Sequence, residues 1–291
     1  MTNFSLIKSV APCLEEAELE DLLHYFKQVL QVDLTGYKRP SLMRRTLVRM
    51  QQVGIERYPD YLDHLQQQQD EVKHFLDAIY INYSYFFRDR PVWDQLANHI
   101  IPQLVANKAL DEPIRVWSAA CATGEEVYSL AILLIEALGV EQFQQRVQIY
   151  GTDVDSIVIQ QAHQGHYPAH STKHIPLALQ EQYFERRHNY YCWRQEFRHS
   201  IYFQLHNLIH DPPLSPIDLL VCRNLLIYLT TETQLQVLAN FYCSLEKNGF
   251  LLLGKVENLI TRPQLSLFTP IHRQSRIFKK VTQAEQDDKA S

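Results

Sequence analysis

The chain has 291 residues, of which 46% are hydrophobic, and a formal net charge of −5 at pH 7. This length is typical of one large or two modest domains, and the acidic balance argues against a protein that binds a polyanion with its whole surface. The five cysteines form no Cys-x-x-Cys pair and no disulfide framework, so we expect a reducing, cytoplasmic location. The N-terminus lacks a signal-peptide pattern and no run of about 18 apolar residues occurs, so we expect no membrane insertion.

Residues 14 to 80 are predicted to be all-helical. Leucine and aromatic residues recur at helical spacing from Leu19 onward, and Gly36 interrupts this pattern. Pro40 then opens a second helix, and a third helix carries its apolar face as far as Ile79. No alternation typical of strands occurs in this part, so we expect a small helical domain.

From about residue 113 the pattern changes to alternating strands and helices. One helix is predicted at 126–138, ending at Gly139, and another is predicted from Thr231 to Asn248-Gly249. The predicted strands are IRVWS, VQIYGTD, IYFQLH, IDLLVC and FLLLG, with SRIFKKV as an antiparallel edge strand. This alternation predicts an α/β fold with a doubly wound, mostly parallel, Rossmann-like sheet.

The loop AACATGEE, between the first strand and its helix, is a candidate binding site because ligands of doubly wound sheets bind at the carboxyl ends of strands. Gly124 is predicted as its one residue with a positive φ angle, and the alanines are expected to let a ligand approach at negative φ. The glycine motifs of dinucleotide and phosphate loops are missing. Glu125 and Glu126 place negative charge at the helix N-terminus, which would repel a pyrophosphate and attract a cation.

Asp153 follows the second strand, where an acidic side chain accepts hydrogen bonds from a ribose diol. A ligand that has a ribose and a positive charge but no phosphate is S-adenosylmethionine, which we therefore predict as the cofactor. The alternative is that Glu125 and Glu126 are ordinary acids of a first helical turn.

The chain resembles the CheR-type chemotaxis receptor methyltransferases from about residue 15 to 280. The resemblance rests on segments in the family's order: INYSYFFRD, VWSAACATGEEVYSLA, IYGTDVD, NLIHDPP, DLLVCRNLLIYL and KNGFLLLGKVENL. Among these, FFRD and CRNLLIYL are the most specific. The resemblance implies a class I methyltransferase that uses S-adenosylmethionine to esterify glutamate side chains of chemoreceptors and releases S-adenosylhomocysteine.

The resemblance also implies an organisation and a site. The parts are a helical substrate-recognition domain at 1–80, a linker and helix at 81–112, an S-adenosylmethionine-binding domain at 113–281 and a flexible tail at 282–291. The implied cofactor-binding residues are Asn82, Ser84, Arg88, Glu125, Asp153, Asn207, Leu208, Arg223 and Asn224. Arg88 and Tyr228 would lie closest to the transferred methyl group and are the implied catalytic residues.

The chain departs from the family pattern at three places. Ser84 stands where the family usually has threonine, which keeps the hydroxyl, and Val127 stands where it usually has proline. GKVE at 254–257 replaces Gly-His-Ser-Glu, which leaves the role of that loop open.

The proposed chemistry needs few groups. A glutamate carboxylate has a pKa of about 4.3, so it is already an ionised nucleophile at neutral pH and needs no general base. We expect the rate enhancement to come from in-line positioning and from removal of water. Arg88 can orient the carboxylate through its planar guanidinium, and Tyr228 offers an aromatic face to the cation. The alternatives are that Arg88 forms a domain-interface salt bridge and that Tyr228 belongs to the core.

A basic stripe on the second predicted helix is the candidate substrate surface. Residues 34–55 contain five basic residues and no acid, and Arg45 and Arg49, four apart, share a helical face with Arg44 beside them. Because chemoreceptor methylation regions are acidic coiled coils, the resemblance implies the receptor's cytoplasmic helical bundle as partner. The alternative is a solvated helix face.

Several other expectations complete the sequence interpretation. Some family members carry a small β-subdomain before the third sheet strand, which docks a receptor peptide. The corresponding segment here, FERRHNYYCWRQEFRHSIYF, is compact and lacks Gly-x-Gly, so we favour a variant that does not need a peptide tether. His166, His170 and His174 have a helical four-residue spacing, but Pro168 and Pro176 break the helix that would align them. No Cys or carboxylate partner lies at ligand spacing, so no metal site is predicted. We expect a monomer and no nucleic-acid partner. An RNA methyltransferase and a non-catalytic S-adenosylmethionine-binding scaffold remain alternative functions.

Overall fold

The computed structural model describes residues 4–259 and 266–281, with side chains from residue 16 onward. The described chain divides into two compact units. The helical unit takes in the residues up to Ile81 together with Tyr228–Thr233, and the sheet unit takes in Asn82–Ile227 and the residues from Gln234 on. The predicted flexible tail at 282–291 lies outside the described residues.

Four α-helices form the described part of the helical unit: α1 Phe4–Gln28, α2 Arg39–Gln52, α3 Tyr58–Gln67 and α4 Gln69–Ile79. Phe26 of α1 stacks on Phe75 of α4 in the core of this unit, with ring centroids 4.5 Å apart. The sequence predicted three of these helices and missed α3. The buried face of α3 consists of Tyr58, Tyr61 and Leu65. Because two of these three residues are tyrosines, the sequence of α3 shows only a weak hydrophobic periodicity.

A buried ion pair fixes α2, α3 and α4 to one carboxylate. Arg49 donates from Nε and Nη2 to the two oxygens of Glu71 at 2.8 and 2.5 Å, and Tyr61 donates its hydroxyl to Oε1 at 2.7 Å. Burial alone would raise the pKa of Glu71, but the hydrogen bonds from Arg49 and Tyr61 hold this pKa below its usual value. Arg49 therefore has a structural partner inside the helical unit.

The remaining described elements follow in chain order. The helices are α5 Arg90–Gln95, α6 Ile101–Ala106, α7 Glu125–Leu138, α8 Val140–Arg146, α9 Ser156–Gln164, α10 Leu177–Tyr183 and α11 Thr231–Ser244. The strands are β1 Ile114–Ala119, β2 Val147–Asp153, β3 His166–Pro168, β4 Phe184–Arg187, β5 Tyr190–Trp193, β6 Ile201–Leu205, β7 Ile217–Cys222, β8 Leu245–Leu253, β9 Phe268–His272 and β10 Ile277–Lys280.

The main sheet of the described residues has seven strands in the order β6-β2-β1-β7-β8-β10-β9. The five strands from β6 to β8 are mutually parallel, and β10 runs antiparallel to both of its neighbours. The predicted α/β fold with a mostly parallel sheet is therefore confirmed. From β1 the chain adds β2 and β6 on one side of the sheet, and later adds β7 and β8 on the other side. The carboxyl ends of β1 and β7 therefore form the switch point at which such sheets bind ligands.

Two predicted details of this sheet were wrong. Helix α11 ends at Ser244, and Asn248-Gly249 instead lies in β8, where the register with β7 shifts. An Asn-Gly pair suits an irregular strand as well as a helix end, so its pattern alone did not separate the two. Strand β10 is not at the edge of the sheet, because β9 pairs along its other side.

A second, three-stranded antiparallel sheet has the order β3-β5-β4. This region therefore forms a small β-subdomain, and the expectation that the protein needs no peptide tether stays a prediction. The turn between β4 and β5 uses a left-handed His188, with a φ of 45°, in place of a glycine. Trp193 of this sheet packs edge-on against Phe184, with ring centroids 5.2 Å apart, so aromatic packing supplies the stability that its short strands lack.

Replacement of Arg49 by alanine should lower the free energy of unfolding by about 3 kcal/mol, because it leaves the Glu71 carboxylate buried and unpaired. The difference from the wild type should shrink as the pH falls below about 4.5. Glu71 has a lowered pKa in the folded wild-type protein, so the stability from the pair is present above the unfolded value and is lost on protonation.

Urea unfolding followed by circular dichroism at several pH values checks this prediction. The matched control is Arg44→Ala on the same helix, where the side chain is exposed and the change should stay within about 0.5 kcal/mol. Equal effects of the two substitutions at neutral pH would contradict the assignment.

Candidate functional site

The loop between β1 and α7 is built from left-handed residues. Ala120, Ala122 and Gly124 have φ angles of 60°, 49° and 90°. The positive φ predicted for Gly124 is confirmed, but the prediction that it is the one such residue in the loop was wrong, because Ala120 and Ala122 are also left-handed. A left-handed alanine costs about 1–2 kcal/mol, so other parts of the sheet unit must hold this backbone in place.

Asp153, at the carboxyl end of β2, provides part of that constraint. Its Oδ2 accepts the backbone N–H of Ala122 at 2.9 Å, and its Oδ1 accepts that of Asp155 at 3.1 Å. Burial raises the pKa of Asp153 in spite of these hydrogen bonds. Each carboxylate oxygen has a second lone pair, so Asp153 can hold the loop and still accept a hydrogen bond from a ribose hydroxyl.

Gly124 is required at the start of α7 for space as well as for its φ angle. A Cβ atom at this position would lie 2.8 Å from the Cβ of Ala162 in α9. The hydroxyl of Tyr167 donates to the carbonyl oxygen of the preceding residue, Thr123, at 2.7 Å. The loop is thus packed from the α9 side.

Ser84 and Glu125, two predicted cofactor residues, are brought together. The Glu125 carboxylate accepts the hydroxyl of Thr123 at 2.7 Å, and Ser84 lies close enough to this carboxylate to lower its pKa. Glu125 is 5% exposed, and this burial raises its pKa. A cation bound beside Glu125 would favour the charged form of this carboxylate.

Asn82, a third predicted cofactor residue, is tied to the loop after β2. Its Nδ2 donates to Oδ2 of Asp155 at 2.6 Å. The other oxygen of Asp155 caps α9 by accepting the N–H of Ile157 at 2.8 Å. The backbone N–H of Asp155 in turn binds Asp153, so Asn82 is connected to the predicted ribose-binding carboxylate.

Arg223, directly after β7, is a buried cation whose side chain is 2% exposed. Its Nη2 donates to the Asp89 carboxylate at 2.6 Å and to the Arg88 carbonyl oxygen at 2.8 Å. Its Nη1 lies 3.4 Å from Oε2 of Glu126, and its guanidinium packs on the ring of Trp93 at 5.8 Å. These contacts give Arg223 a positioning role for the segment that carries Arg88, and its direct contact with the cofactor stays a prediction.

Arg88 lies between two tyrosine rings, with its guanidinium 5.5 Å from the centroid of Tyr83 and 5.8 Å from that of Tyr85. Its Nη1 donates to the carbonyl oxygen of Tyr83 at 3.0 Å. The Tyr85 ring also packs on His174, with centroids 4.9 Å apart. The Arg88 side chain is therefore oriented by aromatic contacts, not by an ion pair of its own in the described residues.

Asn207 and Leu208, the predicted adenine neighbours, follow β6 beside Asp153. The N–H of His206 donates to the Asp153 carbonyl oxygen at 2.9 Å. The N–H of Asn207 donates to the carboxylate of Asp211 at 2.7 Å, and Leu208 is 9% exposed. These contacts fix the turn, and the contact with adenine stays a prediction.

Glu257 is a site residue that the sequence interpretation missed. Its carboxylate accepts the backbone N–H groups of Asn224 and Leu226 at 3.0 and 2.7 Å, which connects the loop after β8 to the loop after β7. Burial raises the pKa of Glu257 in spite of its backbone hydrogen bonds. The signal in the sequence was the acid that ends GKVE, in the loop whose role was left open.

The other predicted residues belong to the helical unit. Tyr228 lies under the guanidinium of Arg45, at 5.5 Å from its ring centroid, and Arg45 donates to the carbonyl oxygen of Ala78 at 2.7 Å. Arg44 is exposed, whereas Arg49 is committed to Glu71. The basic stripe is thus not uniformly free, because Arg49 pairs with Glu71 of α4, an acid that the charge pattern does not reveal. The substrate-binding role of Arg49 stays a prediction.

No group of three or more His, Cys, Asp or Glu side chains in the described residues is arranged to hold a metal ion. Within the same residues, no helix is long and apolar enough to cross a lipid bilayer.

The arrangement suits one kind of ligand. Four buried carboxylates gather at the carboxyl ends of β1 and β2: Glu125, Glu126, Asp153 and Asp155. Such a site disfavours phosphate and favours a ligand with hydroxyl groups and positive charge. These are the properties of S-adenosylmethionine, and the residues present therefore fit this cofactor.

Comparison with protein families gives two matches that together span most of the chain. The family described as "CheR methyltransferase, SAM binding domain" matches residues 82–274, and the family described as "CheR methyltransferase, all-alpha domain" matches residues 17–80. These matches confirm the resemblance found in the sequence and S-adenosylmethionine as the cofactor.

Curated relatives agree with these matches. The chain is 32% identical over 256 residues to the chemotaxis protein methyltransferase of Listeria innocua, covering 87% of this chain and 95% of that protein. It is 30% identical to the chemotaxis protein methyltransferase of Escherichia coli, covering 84% of this chain and 85% of that protein. It is also 34% identical to an uncharacterized 104.1 kDa protein of Rhodobacter capsulatus, of which it spans only 26%.

Gly124→Ala should weaken S-adenosylmethionine binding by at least about tenfold, because the added methyl group collides with α9 and the loop must shift (~1.4 kcal/mol per tenfold). Gly139→Ala, at the other end of α7, is the matched control. Gly139 also has a positive φ, of 77°, but a Cβ there meets nothing within 4 Å. The control should lose about 1–3 kcal/mol of stability, because a φ of 77° with a ψ of 159° is a conformation nearly restricted to glycine, and it should keep its cofactor affinity.

Isothermal titration calorimetry and thermal unfolding of the two variants check this prediction. If both variants lose cofactor affinity equally, the effect comes from general destabilisation of α7 and the loop is not the binding element.

Proposed function

Because the chain belongs to the CheR methyltransferase family, we propose that it transfers the methyl group of S-adenosylmethionine to glutamate carboxylates of a chemoreceptor, forming methyl esters for sensory adaptation. The family and the named relatives establish an S-adenosylmethionine-dependent methyltransferase of the chemotaxis type. The glutamate carboxylate as acceptor is the finer statement that we propose.

The observation that carries this proposal is the state of Arg88. Its guanidinium donates one hydrogen bond to the described chain, to the carbonyl oxygen of Tyr83, so most of its five N–H donors are available. A planar guanidinium binds a carboxylate through two parallel hydrogen bonds. The segment that carries Arg88 also carries Ser84, which lies beside the buried Glu125. Arg88 therefore belongs to the same segment as a predicted cofactor residue.

The protein's residues then divide the work. S-adenosylmethionine, when bound, supplies an activated methyl group. Arg88 orients the acceptor carboxylate, which is ionised at neutral pH and needs no base. The buried acids Glu125 and Asp153 hold the cationic and hydroxyl parts of the cofactor, and Arg223 fixes the segment of Arg88. The catalytic role of Tyr228 stays a prediction from the resemblance.

The substrate partner that we propose is the cytoplasmic helical bundle of a chemoreceptor. Arg44 is exposed on α2 and Arg45 is half-buried, so these two residues remain candidate ligands for an acidic helical surface. A cytoplasmic location, the absence of a nucleic-acid partner and a monomeric state agree with this proposal and stay predictions.

Transfer of a labelled methyl group tests the proposed function. The purified protein is incubated with methyl-labelled S-adenosylmethionine and chemoreceptor-containing membranes, and the product is treated with mild alkali. Label on the receptor that is released as methanol supports a carboxyl ester. Label on the receptor that is stable to alkali, or label on RNA, would overturn the proposal.

Arg88→Ala should lower kcat for receptor methylation by about 100-fold, equivalent to about 2.7 kcal/mol of transition-state stabilisation, because the acceptor carboxylate loses its orienting ligand. Arg88→Lys should recover only part of this loss, since lysine keeps the charge but not the planar fork. Initial rates at saturating cofactor check this prediction.

The matched control is Arg90→Ala, two residues away. Arg90 is 60% exposed in its side chain and faces Asp94 at 3.8 Å, so this variant should stay within about twofold of the wild type. A methylation rate of Arg88→Ala close to that of Arg90→Ala would contradict the role of Arg88.

A further inference from the structure

The carboxylate of Glu257 closes a small backbone cage. It accepts the N–H of Gly254 at 2.6 Å, that of Asn224 at 3.0 Å and that of Leu226 at 2.7 Å. The side chain is buried, with the residue 3% exposed. Three backbone donors that converge on one buried carboxylate form an anion-binding arrangement, and here the anion is part of the chain itself.

The backbone cage around Glu257 leaves no room for a side chain at position 254, where the chain has Gly254. A Cβ atom at Gly254 would lie 2.6 Å from Oε2 of Glu257 and 2.8 Å from the backbone nitrogen of Asn224. The loops after β7 and β8 therefore approach each other as closely as their backbones permit. Asn224 itself has a φ of 64°, a conformation that asparagine tolerates but that needs support from its surroundings.

Asn224 carries an acceptor that the described chain does not satisfy. Its Oδ1 is buried and has no hydrogen-bond partner among the described residues. A buried carbonyl oxygen without a donor costs about 1–3 kcal/mol, and such a cost is retained where a ligand supplies the donor. S-adenosylmethionine has donors in its ammonium group, its ribose hydroxyls and its adenine amine.

We infer that Glu257 is a positioning residue of the cofactor site, which acts through Asn224. Glu257 accepts the backbone N–H groups of Asn224 and Leu226 in the loop after β7. It thereby holds Asn224 in its left-handed conformation, with Oδ1 ready to accept a donor of the cofactor. The inference concerns cofactor binding only, so it stands independently of the proposed glutamate substrate.

Glutamate is suited to this position because its carboxylate only accepts hydrogen bonds. A glutamine amide would turn its NH₂ group toward at least one of the backbone N–H groups, so one bond would become a repulsion. Aspartate keeps the charge but is one methylene shorter, so it cannot reach both loops at once. Glu257→Asp therefore tests the position of the carboxylate, and Glu257→Gln tests its charge.

A double-mutant cycle with Asn224→Ala tests the inference by titration of S-adenosylmethionine and S-adenosylhomocysteine. We expect Glu257→Gln and Asn224→Ala each to weaken binding at least tenfold, and the double variant to bind no more weakly than Asn224→Ala alone. Glu257→Asp should fall between the wild type and Glu257→Gln, and it remains informative if Glu257→Gln does not fold. A role in stability alone would not give this non-additivity.

The matched control is Asp218→Asn at the amino end of the same strand, β7. Asp218 is another buried carboxylate, 5% exposed, which accepts the N–H of Arg115 at 2.8 Å and pairs with Lys108 at 2.8 Å. This control should lower the unfolding temperature and keep cofactor affinity within twofold. Wild-type affinity in Glu257→Asp and Glu257→Gln, or additive losses in the double variant, would overturn the inference.

Discussion

The buried guanidinium of Arg223 is the interaction on which the site depends. It joins the end of β7 to Asp89, to the carbonyl oxygen of Arg88 and to Glu126 of α7. A buried cation needs partners for its charge, so these partners are held in one arrangement, although the Nε of Arg223 has no hydrogen-bond partner in the described residues. The segment of Arg88 and the first turn of α7 thereby share one anchor at the switch point of the sheet.

The same region of the sheet unit concentrates backbone strain and buried negative charge. Its left-handed residues other than glycine are Phe87, Asp89, Ala120, Ala122 and Asn224. Burial raises the pKa of Glu125, Glu126 and Asp153, so the site holds carboxylates whose charged form a bound cation would stabilise. Strain and unfavourable burial are retained in folded proteins mainly where function requires them, and both converge here on the carboxyl ends of β1, β2 and β7, where we propose that the cofactor binds.

The sequence predicted those parts of the structure that local patterns determine. Apolar runs and helix-ending glycines located the parallel strands and α7, and Gly124 was correctly assigned a positive φ. The left-handed Ala122 could not be predicted, because its conformation depends on a hydrogen bond to Asp153, which lies 31 residues away. The partner of Arg49 could not be predicted for the same reason, since Glu71 approaches from another helix. The small sheet was missed because aromatic packing and a left-handed His188 replace the glycines that signal a hairpin.

The central claim is that the carboxyl ends of β1, β2 and β7 bind the cofactor, and a crystal structure with S-adenosylhomocysteine tests it most directly. We predict that ribose oxygens lie within about 3 Å of the Asp153 carboxylate, with the amino-acid end of the ligand beside Glu125 and the Asn224 Oδ1 accepting one of its donors. A ligand bound elsewhere, with Asp153 still contacting only the backbone of Ala122 and Asp155, would contradict the account.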